Sequence, residues 1–188
     1  MRELSLNILD IAQNSVRAGA AHITVSLAED SAGWLTLSVI DDGCGMSAET
    51  VRRVMDPFYT TRTTRKVGLG VPLLRLAAEQ TGGELTIRSV TAEENPGKHG
   101  TELCATFDTR HIDFEPLGDI VSSVCALVQG QPQIDWVFTH TTPAGEVRLD
   151  CAELREVLGG VPLSSTEVIN WIRDYLDEQY KSFSASEN

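Results

Sequence analysis

The sequence predicts an α+β fold, a two-layer α/β sandwich with helices on one face of a mixed or antiparallel sheet. Two observations carry that prediction. The first 108 residues read as α-β-β-α-loop-α-β-β, which is neither βαβ alternation nor a plain run of strands. The strand segments HITVSLAE and WLTLSVID alternate apolar with polar residues, as strands buried on one face should.

The first helix rests on Leu4, Ile8, Ile11 and Ser15, three or four residues apart, with Gly19 as its stop. Beside that stripe runs a polar one: Glu3, Asn7, Asp10, Asn14 and Arg17. Taken alone, it reads as the wetted side of an amphipathic helix. His22–Glu29 and Trp34–Asp41 form a hairpin around Asp30-Ser31-Ala32-Gly33. Ser47 caps a short helix running to about Met55. DPFYTTRTTRKVGLG has no periodicity and is expected to be a loop. The next helix has Pro72 in its first turn and Gly82-Gly83 at its end. ELTIRSV and TELCATFD are the following strands, joined by TAEENPGKHG.

After Asp108 the chain offers a helix in PLGDIVSSVCALVQG, a hairpin of IDWVFTHTT and GEVRLD, and helices in CAELREVLGG and SSTEVINWIRDYLDEQYKSF. The tail SASEN is expected to fray. The expected organisation is a domain over 1–110 and an acidic α/β extension over 111–188, either separate or packed on the same sheet.

The net charge of −12 is uneven: 11 Lys/Arg face 14 Asp/Glu in 1–110, and 4 face 13 in 111–188. Such acidity disfavours nucleic acid and anionic membranes as partners. No apolar run approaches the roughly 18 residues of a membrane span, and the start lacks the marks of a signal peptide. Four scattered cysteines without a CxxC pair argue against a zinc site or a disulfide framework. A cytoplasmic location is the expectation.

Two segments carry chemistry. VIDDGCGMSA delivers Asp41 to a strand end, followed by Gly43 and Gly45. Its likeness to a dinucleotide fingerprint is discounted, because no parallel strand ending in an acid follows. DPFYTTRTTRKVGLGVP gathers Thr60, Thr61, Arg62, Arg65 and Lys66 ahead of Gly68-Leu69-Gly70 and a helix. A glycine turn feeding a helix N-terminus offers backbone N–H groups and a positive dipole end to phosphate.

In order, DIAQNSVRAGA, VIDDGCGM, DPFYTT, GLGVPLL and GTELCATF resemble the N, G1, F, G2 and G3 boxes of the GHKL (Bergerat-fold) ATP-binding superfamily. The stretch from Asp10 through Met46 is most similar to MutL proteins, and the short lid resembles that of histidine kinases. The resemblance implies ATP and Mg²⁺ as cofactors. Asn14 falls where the family coordinates Mg²⁺, Asp10 where hydrolysing members carry a water-activating glutamate, and Arg17 where kinases place a lysine near the phosphates. Asp41 matches the acceptor of the adenine amino group, which guanine, having a carbonyl there, could not supply. Gly43, Gly45 and Met46 would line the base. Thr60, Thr61, Arg62, Arg65, Lys66, Gly68, Leu69 and Gly70 would surround the phosphates, and Thr101 would close the adenine pocket.

Asp10 is one methylene shorter than the family glutamate, and Lys66 replaces the first lid glycine of the kinases. His22, His99, His111 and His140 are followed by Ile, Gly, Ile and Thr, so no histidine precedes an acid as in a phospho-acceptor helix. The resemblance implies an ATPase or ATP-driven switch acting on a partner protein. The alternatives are a protein kinase acting in trans, similar to anti-sigma-factor kinases, and a non-catalytic ATP-sensing module. ATP and a partner protein are the implied partners, with a homodimer left open.

Overall fold

The computed structural model describes residues 3–56 and 69–186. Along the chain lie α1 (Leu4–Arg17), β1 (His22–Glu29), β2 (Trp34–Asp41), α2 (Ala48–Val54), α3 (Gly70–Gln80), β3 (Leu85–Val90) and β4 (Gly100–Asp108). They are followed by α4 (Ile120–Gly130), β5 (Asp135–Thr142), β6 (Gly145–Asp150), α5 (Cys151–Leu158) and α6 (Thr166–Ser186). The strands form one sheet in the order β3-β4-β2-β1-β5-β6. The β1–β5 pair is parallel and the others antiparallel, so the sheet is mixed and the fold is the expected α+β sandwich.

Register explains which residues meet. On one face, Val25 is paired with Val39 and Phe138, Leu37 with Ala105, and Leu85 with Ala105. These side chains are buried and form the core. Helices α1, α3 and α6 lie against the strands on that side, and α4 presents Ile120, Val124, Leu127 and Val128 to Val25, Trp136 and Phe138. The opposite face alternates with it and carries Thr24, Ser26, Thr36, Ser38, Cys104 and Thr106, none of them buried.

Residues beyond Arg110 are integral to this body. Strand β5 adds to the edge of β1 along its length, from His22↔Asp135 to Ala28↔Thr141. The first N–H groups of α1, which lack intrahelical partners, donate instead to the C-terminal part: Leu4 to the Pro116 carbonyl and Ser5 to that of Leu117, each at 2.9 Å. Caps follow the sequence. Ser47 accepts from the Thr50 N–H at the start of α2, Asp119 from Ser122 at α4, and Asp150 from Ala152 and Glu153 at α5. One end differs from expectation: α6 continues through Ser184 and Ala185 to Ser186, adding a turn where the sequence suggested fraying.

The sheet and α6 are also joined by a buried polar chain. His140, 3% exposed, has Nε2 2.9 Å from Glu29 Oε1 and Nδ1 2.9 Å from the Tyr180 hydroxyl. Burial, with the Glu29 charge, pushes the Tyr180 phenol up from its ordinary value. The hydroxyl therefore stays protonated, and the imidazole is held between it and the Glu29 carboxyl group.

Candidate functional site

The helix-covered face of the sheet changes character at one end. Successive cross-strand rows run Leu35–Phe107, Leu37–Ala105–Leu85 and Val39–Leu103–Ile87, all apolar, and then Asp41–Thr101–Ser89. Three polar side chains thus stand in line where the strand alternation would otherwise place core residues. Above them α1 contributes Ser15, the one hydroxyl in the otherwise apolar Leu4-Ile8-Ile11 stripe, together with Asn14.

Between this row and α1 lies a cavity of about 230 Å³. Ile11, Val39, Ile87, Leu103 and Val71 supply apolar walls, while Asn14, Ser15, Asp41 and Thr101 supply polar groups. Val54 and Arg53 of α2, with Asp56, Met46, Leu69 and Pro72, line it as well. An apolar slot with a few convergent polar groups is the usual build of a small-molecule site.

Asp41 is held from two sides. Ser15 Oγ donates to Oδ2 at 2.5 Å, and the Gly43 N–H donates to Oδ1 at 3.0 Å. Each carboxylate oxygen retains a second lone pair. The carboxylate is thereby oriented while keeping acceptor capacity toward the cavity.

The turn after Asp41 is shaped by close approach. At Gly45, φ is +72° and a Cβ would stand 1.9 Å from the Val90 carbonyl oxygen. At Gly43 a Cβ would stand 2.7 Å from that of Ala18. Cys44 N–H donates to the Ala18 carbonyl and Ala92 N–H to that of Cys44. The backbone is thus pinned between the end of α1 and the segment after β3. Ser89 completes the anchor: its hydroxyl accepts from the Met46 N–H at 2.7 Å and donates to the Gly100 carbonyl at 3.0 Å, with Thr101 Oγ1 2.9 Å away. His99 Nδ1 lies 2.6 Å from the Gly43 carbonyl oxygen.

Neighbouring Asp42 faces elsewhere. It accepts from the N–H groups of Ala21 and His22 and lies 2.6 Å from His22 Nδ1. His22 Nε2 is 3.3 Å from Asp135, which also pairs with Arg155 of α5. The hydrogen bond to Asp42 raises the His22 pKa, and with the charges of Asp42 and Asp135 it outweighs the opposing effect of burial. Burial acts to raise the Asp42 pKa, but its hydrogen bonds from His22 and Ala21 outweigh this and hold it below the ordinary value.

Of the residues singled out in the sequence, Asn14, Asp41, Gly45, Met46, Leu69 and Thr101 line one cavity, while Gly43 stands outside that lining and donates to Asp41. Gly70 opens α3 against Asp10, with 3.2 Å between the Asp10 Cβ and the place of a Gly70 Cβ. Leu69, at the N-cap of α3, provides no side-chain cap. Asp10 is exposed on α1, one turn before Asn14, and is outside the cavity lining. Arg17 is exposed and donates from Nη1 to Asn14 Oδ1 at 3.1 Å. Thr60, Thr61, Arg62, Arg65, Lys66 and Gly68 lie outside the described residues. Ser15 and Ser89 were not among the site residues drawn from the sequence. Their signal was a hydroxyl at a core-facing position of a helix and of a strand.

The described residues contain no group of three or more His, Cys, Asp or Glu that could hold a metal ion. A Mg²⁺ ion that binds together with a nucleotide commonly takes only one or two protein oxygens alongside phosphates and waters. The Asn14 amide oxygen at the cavity wall is such a donor.

Residues 1–111 match the family model described as histidine kinase-, DNA gyrase B-, and HSP90-like ATPase. Among curated proteins, the chain is 33% identical over 93 residues to the sensor histidine kinase ZraS of Klebsiella oxytoca, covering 48% of this chain and 19% of that protein. It is 30% identical over 89 residues to sporulation kinase C of Bacillus subtilis, covering 47% and 20%. The chain therefore spans about a fifth of the length of these relatives. Among solved structures, the Aquifex aeolicus MutL ATPase domain complexed with ADP superimposes with a TM-score of 0.50 at 15% identity, over 80% of this chain and 65% of that one. The N-terminal domain of a DNA repair protein gives a TM-score of 0.53 at 13% identity, over 80% and 52%. These two likenesses concern the fold.

Proposed function

Because the chain belongs to the histidine kinase-, DNA gyrase B- and HSP90-like ATPase family, we propose that its cavity holds the adenine of ATP and that hydrolysis switches its contacts with a partner protein. The observation that carries this reading is the doubly supported Asp41 carboxylate at the end of an apolar slot. A fixed acceptor there suits the exocyclic amine of adenine and opposes the carbonyl of guanine. Apolar walls from Ile11, Val39, Ile87 and Leu103 would sandwich the ring.

The phosphates would then extend toward the start of α3, where the backbone N–H groups of the first helical turn favour anions. Asn14 would offer its amide oxygen to Mg²⁺, which neutralises phosphate charge when bound. That requires Arg17 to release Oδ1 and turn its guanidinium to the phosphates. Asp10, exposed beside Gly70, would accept the proton of the attacking water.

A second reading, phosphoryl transfer to a side chain of a partner protein, is favoured by the sensor and sporulation kinases among the relatives. Incubation with γ-labelled ATP separates the two, since label passes either to free phosphate or to added protein. For the ATPase, Asp10→Asn should lower phosphate release by about 10²–10⁴-fold with little change in ATP affinity, the scale of general-base catalysis. Release at the wild-type rate by Asp10→Asn would remove Asp10 as the base.

A further inference from the structure

The solvent side of α6 carries a feature that the nucleotide reading leaves unused. Trp171 and Tyr175, one helical turn apart, are 49% and 38% exposed. Their rings stack with centroids 4.9 Å apart and planes within 10° of parallel. The apolar needs of α6 are met on its other side, where Val168, Ile169, Ile172 and Leu176 are buried. The aromatic pair is therefore surplus to the core.

Around the pair, helical spacing places Glu167 one turn before Trp171, Asp174 three residues after it, and Glu178 three residues after Tyr175, all exposed. Lys181, a turn further on, is the exposed cation of this stripe. Arg173 sits on the flank, where its guanidinium donates to Ser122 Oγ at 2.8 Å. The surface is thus an aromatic platform ringed by carboxylates.

We propose that this face of α6 docks an arginine-rich segment of a partner protein. A guanidinium is planar, stacks on aromatic faces and pairs with carboxylates through a fixed fork of donors, so one side chain can satisfy both parts of the surface. Charge complementarity selects the same occupant, since residues 111–188 carry 13 acids against 4 bases. A helix of the partner with arginines at i, i+4 spacing would match the pitch of the Trp171–Tyr175 stack. This surface goes beyond the nucleotide site, and its test uses no nucleotide.

The probe is a 16-residue Ala/Arg peptide with arginines at i, i+4 spacing, titrated calorimetrically into the whole protein beside its citrulline analogue, which keeps the shape and loses the charge. The arginine peptide should bind and the citrulline peptide should not. Trp171→Ala/Tyr175→Ala and, separately, Glu167→Gln/Asp174→Asn/Glu178→Gln should each weaken binding about tenfold, the combined scale of a few such contacts. A charge-matched control, Glu84→Gln/Glu93→Gln/Asp113→Asn, should bind as wild type does. The charge variant changes only exposed groups, so it decides the matter even if the aromatic variant fails to fold. Absence of binding by wild type, wild-type affinity in a folded face variant, or an equal loss in the control would overturn the proposal.

Discussion

Asp41 and the glycines after it show how much a single position can demand of a residue. Asp41 ends a strand on the core-facing side, so a carboxylate there stays in place only because Ser15 and the Gly43 N–H satisfy it. Gly45 makes a steric demand instead: a side chain would meet the Val90 carbonyl and force a left-handed backbone on a non-glycine residue. Gly45→Ala should cost about 1–3 kcal/mol, the range for such local strain, and should weaken nucleotide binding by moving Met46 off Ser89. Thermal unfolding beside a binding titration checks both, and a variant matching wild type in each would show that the turn tolerates a Cβ. The sequence already displayed the glycines, because DGCG interrupts a clean alternation. Ser89 was harder to see, since its role depends on Met46, 43 positions away, and on a cross-strand partner that only register reveals.

Elements were legible where a period was strong. Both strands of the first hairpin begin and end where alternation places them. The face of α1 was less so: its polar stripe includes Asn7, bonded to Glu115 from 108 residues away, and Asn14, turned to the cavity. Solvation alone therefore does not describe that stripe.

The buried His140 chain gives α6 a polar attachment that no periodicity announces. Tyr180→Phe leaves Nδ1 of a buried imidazole without its partner, and should destabilise the protein by about 1–3 kcal/mol, the cost of an unsatisfied buried group. Denaturant unfolding measures this, and an unchanged midpoint would mean that the hydroxyl contributes nothing.

His22 makes a different, pH-dependent link between β1, the turn after β2 and β5. Its pKa is raised in the folded state, so its contribution is fully present below about 6.5 and is lost as pH rises through the raised value. The pKa of Asp42 is lowered, so its contribution is present above about 3.8 and is lost as pH falls through the lowered value. The stability difference between wild type and His22→Asn should therefore be larger at mildly acidic pH than in alkaline buffer. A difference that is flat across that range would leave the pair without energetic weight.

Residues 111–186 share the body that carries the cavity. Their charge sets them apart in sequence, yet β5 covers the edge of β1 and the 116–117 backbone caps α1. A chain ending at Arg110 would expose that edge and the apolar faces of Val25 and Ile8 against α4. It should be insoluble or unfolded by circular dichroism, whereas a soluble, cooperatively folded fragment would make the second part an accessory. The β1–β5 pairing itself was not legible, because strands joined across more than 110 residues leave no local mark.

Whether Asp41 fixes adenine at the end of the slot is decided by titration calorimetry of the full chain with Mg-ATP and Mg-GTP. Wild type should bind ATP in preference to GTP. Asp41→Asn should lose about 1.5–3 kcal/mol of ATP affinity, as expected for a hydrogen bond to a charged group, while remaining folded. A folded Asp41→Asn that binds ATP as tightly as wild type would remove Asp41 from the adenine site.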